Sequence, residues 1–206
     1  MKNIRHTFFL ICLSILIVSC KNDTKEEKEN TTPQNKTEIE TPKKKEPKVL
    51  TGNDKKVLSS LLSRAMQTPS TKKYVSALIS ANLNKILSDQ DGPFTVFAPS
   101  NEAFNSLSEE NKKKLTNIKN KDSIATLLKT HIVEGSYNFE ELTSEIKKNK
   151  GKFVLTTMSG ATFTASKKGK DISIKDENGN RAIIVKRDIE ASNGVMHVLN
   201  KVLVFN

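Results

Sequence analysis

From about residue 50 onward the apolar positions follow two regimes, helical spacing first and strand spacing second. Leu58, Leu61, Leu62 and Ala65 fall on one i, i+3, i+4, i+7 stripe, and Asp54 is placed to cap a helix that carries them. Thr71 opens a second helix with Val75, Leu78 and Ile79, and a short third one gathers Leu83, Ile86 and Leu87. Gly92-Pro93 breaks the pattern. Phe94, Val96 and Ala98 then alternate with Thr95 and Phe97, which predicts a short strand covered on both faces. Ser100 caps a helix with Glu102 in its first turn and Phe104 and Leu107 turned to the core. The most regular helix is DSIATLLKTHIV, capped by Asp122, with Ile124, Leu127, Leu128, His131 and Ile132 on one stripe and Glu134-Gly135 at its end. Asn138 with Glu141 makes a capping-box start to one more short helix.

After Gly151 the period becomes two. KFVLTTM, ATFTAS, DISIKD, RAIIVKRDIEA and VMHVLNKVLVF read as strands, separated by Ser159-Gly160, Lys168-Gly169, Asn178-Gly179 and Asn193-Gly194. The Asn-Gly pairs suit tight hairpins, whose turn residues need positive φ. Helices first and strands last in one compact unit predict an α+β fold.

The start of the chain has a different logic. Lys2 and Arg5 precede an apolar run of 11 residues, Phe8 to Val18. That is too short for a spanning helix, which needs about 20 residues, and it suits a signal peptide. The run ends in I-V-S-C, which resembles the lipobox of bacterial lipoproteins with Ile17 where Leu is usual. The resemblance implies cleavage before Cys20 and lipid attachment to it, and Cys12 is removed with the leader. Residues 20–48 are rich in Lys, Glu, Thr and Pro, with Ile39 as the one large apolar side chain. Burial there cannot offset chain entropy, so a disordered tether is expected. The early acidic residues Asp23, Glu26, Glu27 and Glu29 resemble signals that send some lipoproteins to the outside of the outer membrane. The expected organisation is a signal peptide at 1–19, a tether at 20–48 and one folded domain at 49–206. The expected location is the outer membrane, on the cell surface or its periplasmic face.

Charge narrows the partners. The chain of 206 residues carries +11, and residues 49–206 hold 24 Lys or Arg against 16 Asp or Glu, a net of +8. Such a balance favours acidic polysaccharide, lipid head groups or nucleic acid. The lysines read as dispersed, Trp is absent and no groove-reading motif occurs, so specific nucleic-acid binding is not expected and a solvated basic surface is. Both cysteines lie in the first twenty residues, leaving the domain to its core for stability. His131 and His197 are the metal or acid–base candidates, yet each falls in an apolar pattern that suits a hydrogen-bonded core imidazole. Asp176, Asn178 and Asn180 have the 1-3-5 spacing of a calcium loop, but Gly179 comes two positions early and Arg187 replaces the bidentate Glu, so a turn fits better. Ser144 and Lys147 match S-x-x-K without the partner motifs of that enzyme class. No catalytic machinery and no cofactor are expected.

The order of the pieces resembles a known family. KKYVSALISANLNKILSDQDGPFTVFAPSNEAFNSL is similar to the opening of a fasciclin (FAS1) domain, with TVFAPSNEAF as its first signature. LLKTHIVEGSY resembles the family's central helix and the turn after it, and NGVMHVLNKVLVF its second signature. The resemblance covers Asp54 to Asn206. It implies the FAS1 fold, a wedge of β-strands packed with helices along one edge, helices mainly in the first half and strands in the second. It also implies an extracellular module for adhesion, binding glycan or protein, with the charge favouring an anionic one. In animal members a Tyr-His pair on the central helix is tied to integrin binding and to packing. Here the pair is Thr130-His131, which makes these the candidate binding residues while arguing against an integrin-type contact. The rival expectation is an envelope lipoprotein that holds a small ligand between sheet and helices.

Overall fold

The computed structural model describes residues 51–117 and 121–203; the expected leader, the tether and Cys20 lie outside the described residues. Four helices open the domain: α1 (Gly52–Leu58), α2 (Leu61–Gln67), α3 (Lys72–Ser80) and α4 (Asn84–Ser88). The stripe from Leu58 to Ala65 is thus divided between two helices. Thr51, not Asp54, is the N-cap of α1, and Asp54 completes its capping box. At the break, Ser59 Oγ donates to Lys55 O and Ser60 Oγ to Val57 O, while Ser60 Oγ also accepts the Ser63 N–H that starts α2. Paired serines offer the backbone an alternative to the next helical turn, and here the alternative wins.

Next come β1 (Phe94–Pro99), buried along its whole length, and the Ser100-capped α5 (Asn101–Asn105). α6 (Glu109–Thr116) is capped by Ser108, and α7 (Lys121–Thr130) has Asp122 in its first turn rather than at its cap. α7 stops three residues short of the predicted end. Ile132–Glu134 is instead a strand, β2, antiparallel to Phe94–Val96 of β1. Ile132 and Val133 are β-branched, and as a strand they satisfy the edge of a buried neighbour whose peptide groups would otherwise lack partners. α8 (Phe139–Lys148) starts at the Asn138–Glu141 capping box. β3 (Phe153–Thr156), β4 (Thr162–Lys168), β5 (Asp171–Lys175), β6 (Arg181–Ala191) and β7 (Gly194–Leu199) complete the domain. This is the expected α+β wedge.

The sheet order is β2-β1-β7-β6-β5-β4-β3. β3 to β6 form an antiparallel meander. A tight hairpin at Ala191↔Gly194 then turns β7 back to lie parallel to β1, from Phe94↔Gly194 to Pro99↔Leu199. A bridge between Val133 and Thr157 joins the two ends of the sheet. Gly194 permits the β1–β7 approach: its φ is +147°, and a Cβ there would stand 1.9 Å from the Phe94 carbonyl oxygen. Two apolar cores result. One packs Leu61, Tyr74, Leu78, Leu87 and Leu128 over Val96, and the other packs Leu142, Phe163, Ile172 and Ile174 around Phe97. β1 therefore feeds both cores from its two faces, as the alternation in its sequence required.

Candidate polyanion-binding face

Thr130 and His131 are each 1% exposed. Thr130 Oγ1 donates to Thr126 O at 2.9 Å and lies 2.7 Å from Ser159 Oγ. His131 Nδ1 lies 3.0 Å from Leu127 O, and the Leu203 N–H donates to Nε2 at 3.3 Å. An imidazole protonated at Nδ1 satisfies both bonds. Burial, against the rings of Tyr74 and Phe163, pushes its pKa down to about 4. The pair ties α7 to the β3–β4 turn and to the segment after β7, and neither side chain is presented to solvent. His197 does similar work. Its Nε2–H donates to Tyr137 O at 2.8 Å, its Nδ1 accepts the Asp188 N–H at 3.4 Å, and its ring stacks on Phe97. Burial lowers its pKa as well. In the loop with calcium-like spacing, the Asp176 carboxylate accepts the N–H and Nδ2 of Asn180 at 2.8 and 2.9 Å, closing a turn with Gly179 at φ +89°.

What solvent meets is positive charge. Residues 147–187 hold eleven Lys or Arg against three Asp or Glu, a net of +8 that equals the excess of the whole 49–206 segment. Nine of the 21 lysines of residues 49–206 lie between the end of α8 and β6. Pleating decides their direction. Leu155, Phe163, Ala165, Ile172, Ile174, Ala182 and Ile184 point into the core. Their neighbours Val154, Thr164, Ser166, Lys168, Ser173, Lys175, Arg181 and Val185 therefore form the outer face. Register sets Thr164 beside Lys175 and Lys175 beside Arg181, with Lys168 opposite Asp171. The α8–β3 and β4–β5 turns add Lys150, Lys152 and Lys170, all exposed.

Among the described residues, no ion pair engages Lys150, Lys152, Lys168, Lys170, Lys175 or Lys186. Arg181 is steadied by Ser173 Oγ at 3.0 Å. The Arg187 guanidinium lies 4.0 Å over the Phe139 ring, with Lys167 Nζ 5.4 Å from the same ring. Those two cations belong to the α8 side; the outer face keeps Lys168, Lys175 and Arg181, with exposed Val154, Ile183 and Val185 set among them. A positive face of this kind raises the local concentration of anions. Each strand contributes only a few cations, which hides the cluster in a residue-by-residue reading; charge counted by segment reveals it.

The family model of the fasciclin domain matches residues 69–205. Protein sll1483 of Synechocystis is 32% identical over 129 residues, covering 63% of this chain and 64% of its own. Pig transforming growth factor-beta-induced protein ig-h3 is 26% identical over 152 residues, which are 72% of this chain and 20% of that one. Mouse stabilin-1 is 33% identical over 158 residues, 76% of this chain and 6% of its own. The chain thus spans less than two thirds of the length of each of these relatives. Among solved structures, the FAS1 domain pair from the insect cell adhesion molecule Fasciclin I shares the fold, with a TM-score of 0.63 at 18% identity over 71% of this chain and 51% of that one. The family match takes in the whole sheet and every helix after α2, so the chain belongs to the fasciclin domain family.

Proposed function

We propose that this is a lipid-anchored envelope protein whose fasciclin domain binds an acidic extracellular polymer, polysaccharide or protein, through the outer face of β3–β6. The observation that carries the reading is the row of Lys168, Lys175 and Arg181 on that face, with Lys150, Lys152 and Lys170 in the turns beside it and none of these five lysines in an ion pair among the described residues. Exposed charges of this kind add little to folding, so a row of them on the outer face of the sheet finds its use in a partner. No described helix is long and apolar enough to cross a membrane. Attachment would come from acyl chains on Cys20, each contributing about 0.8 kcal/mol per buried CH₂, with residues 20–48 holding the domain clear of the head groups. The rival reading, a small ligand between sheet and helices, meets a space filled by Leu142, Ile146, Phe163 and Ile174.

The test is a binding panel of acidic and neutral polysaccharides and matrix proteins, run at low and high salt on wild type and on Lys168→Glu/Lys175→Glu/Arg181→Glu. Acidic polymers should bind, weaken with salt and lose at least tenfold, about 1.4 kcal/mol, in the triple variant. Equal binding of neutral and acidic polymers, or indifference to charge reversal, ends the reading. For the anchor, a palmitate analogue should label the wild type in cells and leave Cys20→Ala unlabelled; a labelled variant ends that part.

A further inference from the structure

A concave feature lies on the helical side of the domain. A cleft of about 430 Å³ opens between α3, α5, α6 and α7, a size within the roughly 300–1,000 Å³ range of small-molecule sites. It follows from the sequence of α3. Tyr74, Ala77, Leu78 and Ala81 form the helical stripe that faces the first core, and Tyr74 and Leu78 are fully buried there. Ala77 and Ala81 are too short to fill their share of the stripe. Their small size leaves Phe104 of α5, Leu115 of α6 and Ile124 of α7 lining an open apolar cleft.

Two cations border this apolar surface: Lys73 in the first turn of α3 and Lys121 in the first turn of α7. Among the described residues, no carboxylate lines the cleft. Lys73 Nζ donates to Asn105 Oδ1, a neutral partner that leaves two ammonium hydrogens for an anion. Its charge also acts on Glu102 from outside the cleft. An apolar lining with cations beside it and no acid suits a molecule that is apolar at one end and anionic at the other. A neutral apolar ligand would leave the two ammonium groups unused, and a polyanion would leave the apolar surface uncovered.

We propose that this cleft binds one acyl chain of an anionic amphiphile, the tail against Ala77, Ala81 and Ile124 and the carboxylate or phosphate head at Lys73 and Lys121. The site is separate from the basic face of β3–β6 and does not rest on the adhesion reading. The chemistry has two sources, a free fatty acid or the lipid of a bilayer, and the experiment separates them. Dodecanoate is titrated below its micelle concentration into fragment 49–206, which contains both apolar cores, with dodecanol as the neutral control and amide NMR shifts as the readout. In parallel, the fragment is sedimented with phosphatidylglycerol vesicles.

Saturable dodecanoate shifts confined to residues 73–81, 104, 115 and 124, at least tenfold weaker with dodecanol or in Lys73→Glu/Lys121→Glu, support the proposal and place the source in solution. Vesicle binding lost in the same double variant supports it and places the source in the bilayer. Ala81→Phe, which fills the cleft, should abolish either response while keeping the wild-type melting midpoint. Equal binding of dodecanol overturns the anionic head. Shifts elsewhere, binding that survives Ala81→Phe, or no response to either probe overturns the site.

Discussion

His131 and His197 each hold two backbone groups that no strand or helix satisfies, and both do so as neutral rings. This gives stability a pH dependence with a definite sign. An unfolded imidazole takes up a proton near pH 6.5, whereas folded His131 does so only near 4. The contribution is therefore complete above about pH 6.5 and is lost as pH falls towards 4, amounting there to about 3 kcal/mol for His131 alone. The nearby Asp176 charge favours the protonated ring and is already contained in that value. Urea midpoints should fall between pH 7 and pH 5 in the wild type and fall less in His131→Gln. At pH 7, His131→Ala should cost about 1–3 kcal/mol for the orphaned partners, plus the void it leaves. Binding of an acidic polymer should be lost only as the fold is lost. If stability holds while binding disappears, His131 is a contact residue after all. The burial of His131 was legible from its place on the α7 stripe. The partners were not, because Leu203 lies 72 residues away and gives no local signal.

The irregular stretch of β6 shows how one element positions another. Its pairing with β7 shifts register between Ile184 and Lys186 and again between Lys186 and Ile189, and Asp188 within it adopts φ +56°. Asp188 Oδ1 accepts the Phe139 N–H at 2.8 Å, so the bulge supplies a second cap to α8 beside Asn138. Asp188→Ala should cost about 1–2 kcal/mol, the range of a lost cap. Asp188→Asn, which tolerates the left-handed conformation and keeps an acceptor, should cost clearly less. Hydrogen exchange in the first turn of α8 should rise in the Ala variant; unchanged exchange would remove the capping role. RAIIVKRDIEA marked this strand from end to end, but a bulge leaves no mark in an alternating pattern. α6 was missed for a related reason: among its residues only Leu115 is apolar, so there is no stripe. Its signal was Ser108 followed by Glu109 and Glu110. β2 was absorbed into α7 because the adjacent apolar pair Ile132-Val133 also continues a helical stripe.

Across the whole molecule, the order of helices and strands was legible from hydrophobic period except for α6 and β2, and the family signatures fell on β1 and β7. That these two strands pair in parallel was not, since nothing local to either names its partner. Each β1 residue from Phe94 to Pro99 pairs with one 100 positions later, and that separation has a consequence in time. A chain made from its N-terminus has β1, and both cores that β1 feeds, waiting through a hundred further residues before the seam can close. Until then β1 has only β2 beside it. Such long-range closure makes folding slow and all-or-none. A chain truncated after Asn193 should keep every helix in its sequence, yet melt without a cooperative transition and yield quickly to protease; a sharp melt would show that β1 folds without β7. On the envelope reading this delay is useful. If the chain is threaded through a membrane as proposed above, a seam that closes only when β7 reaches β1 keeps it pliant while it is in transit.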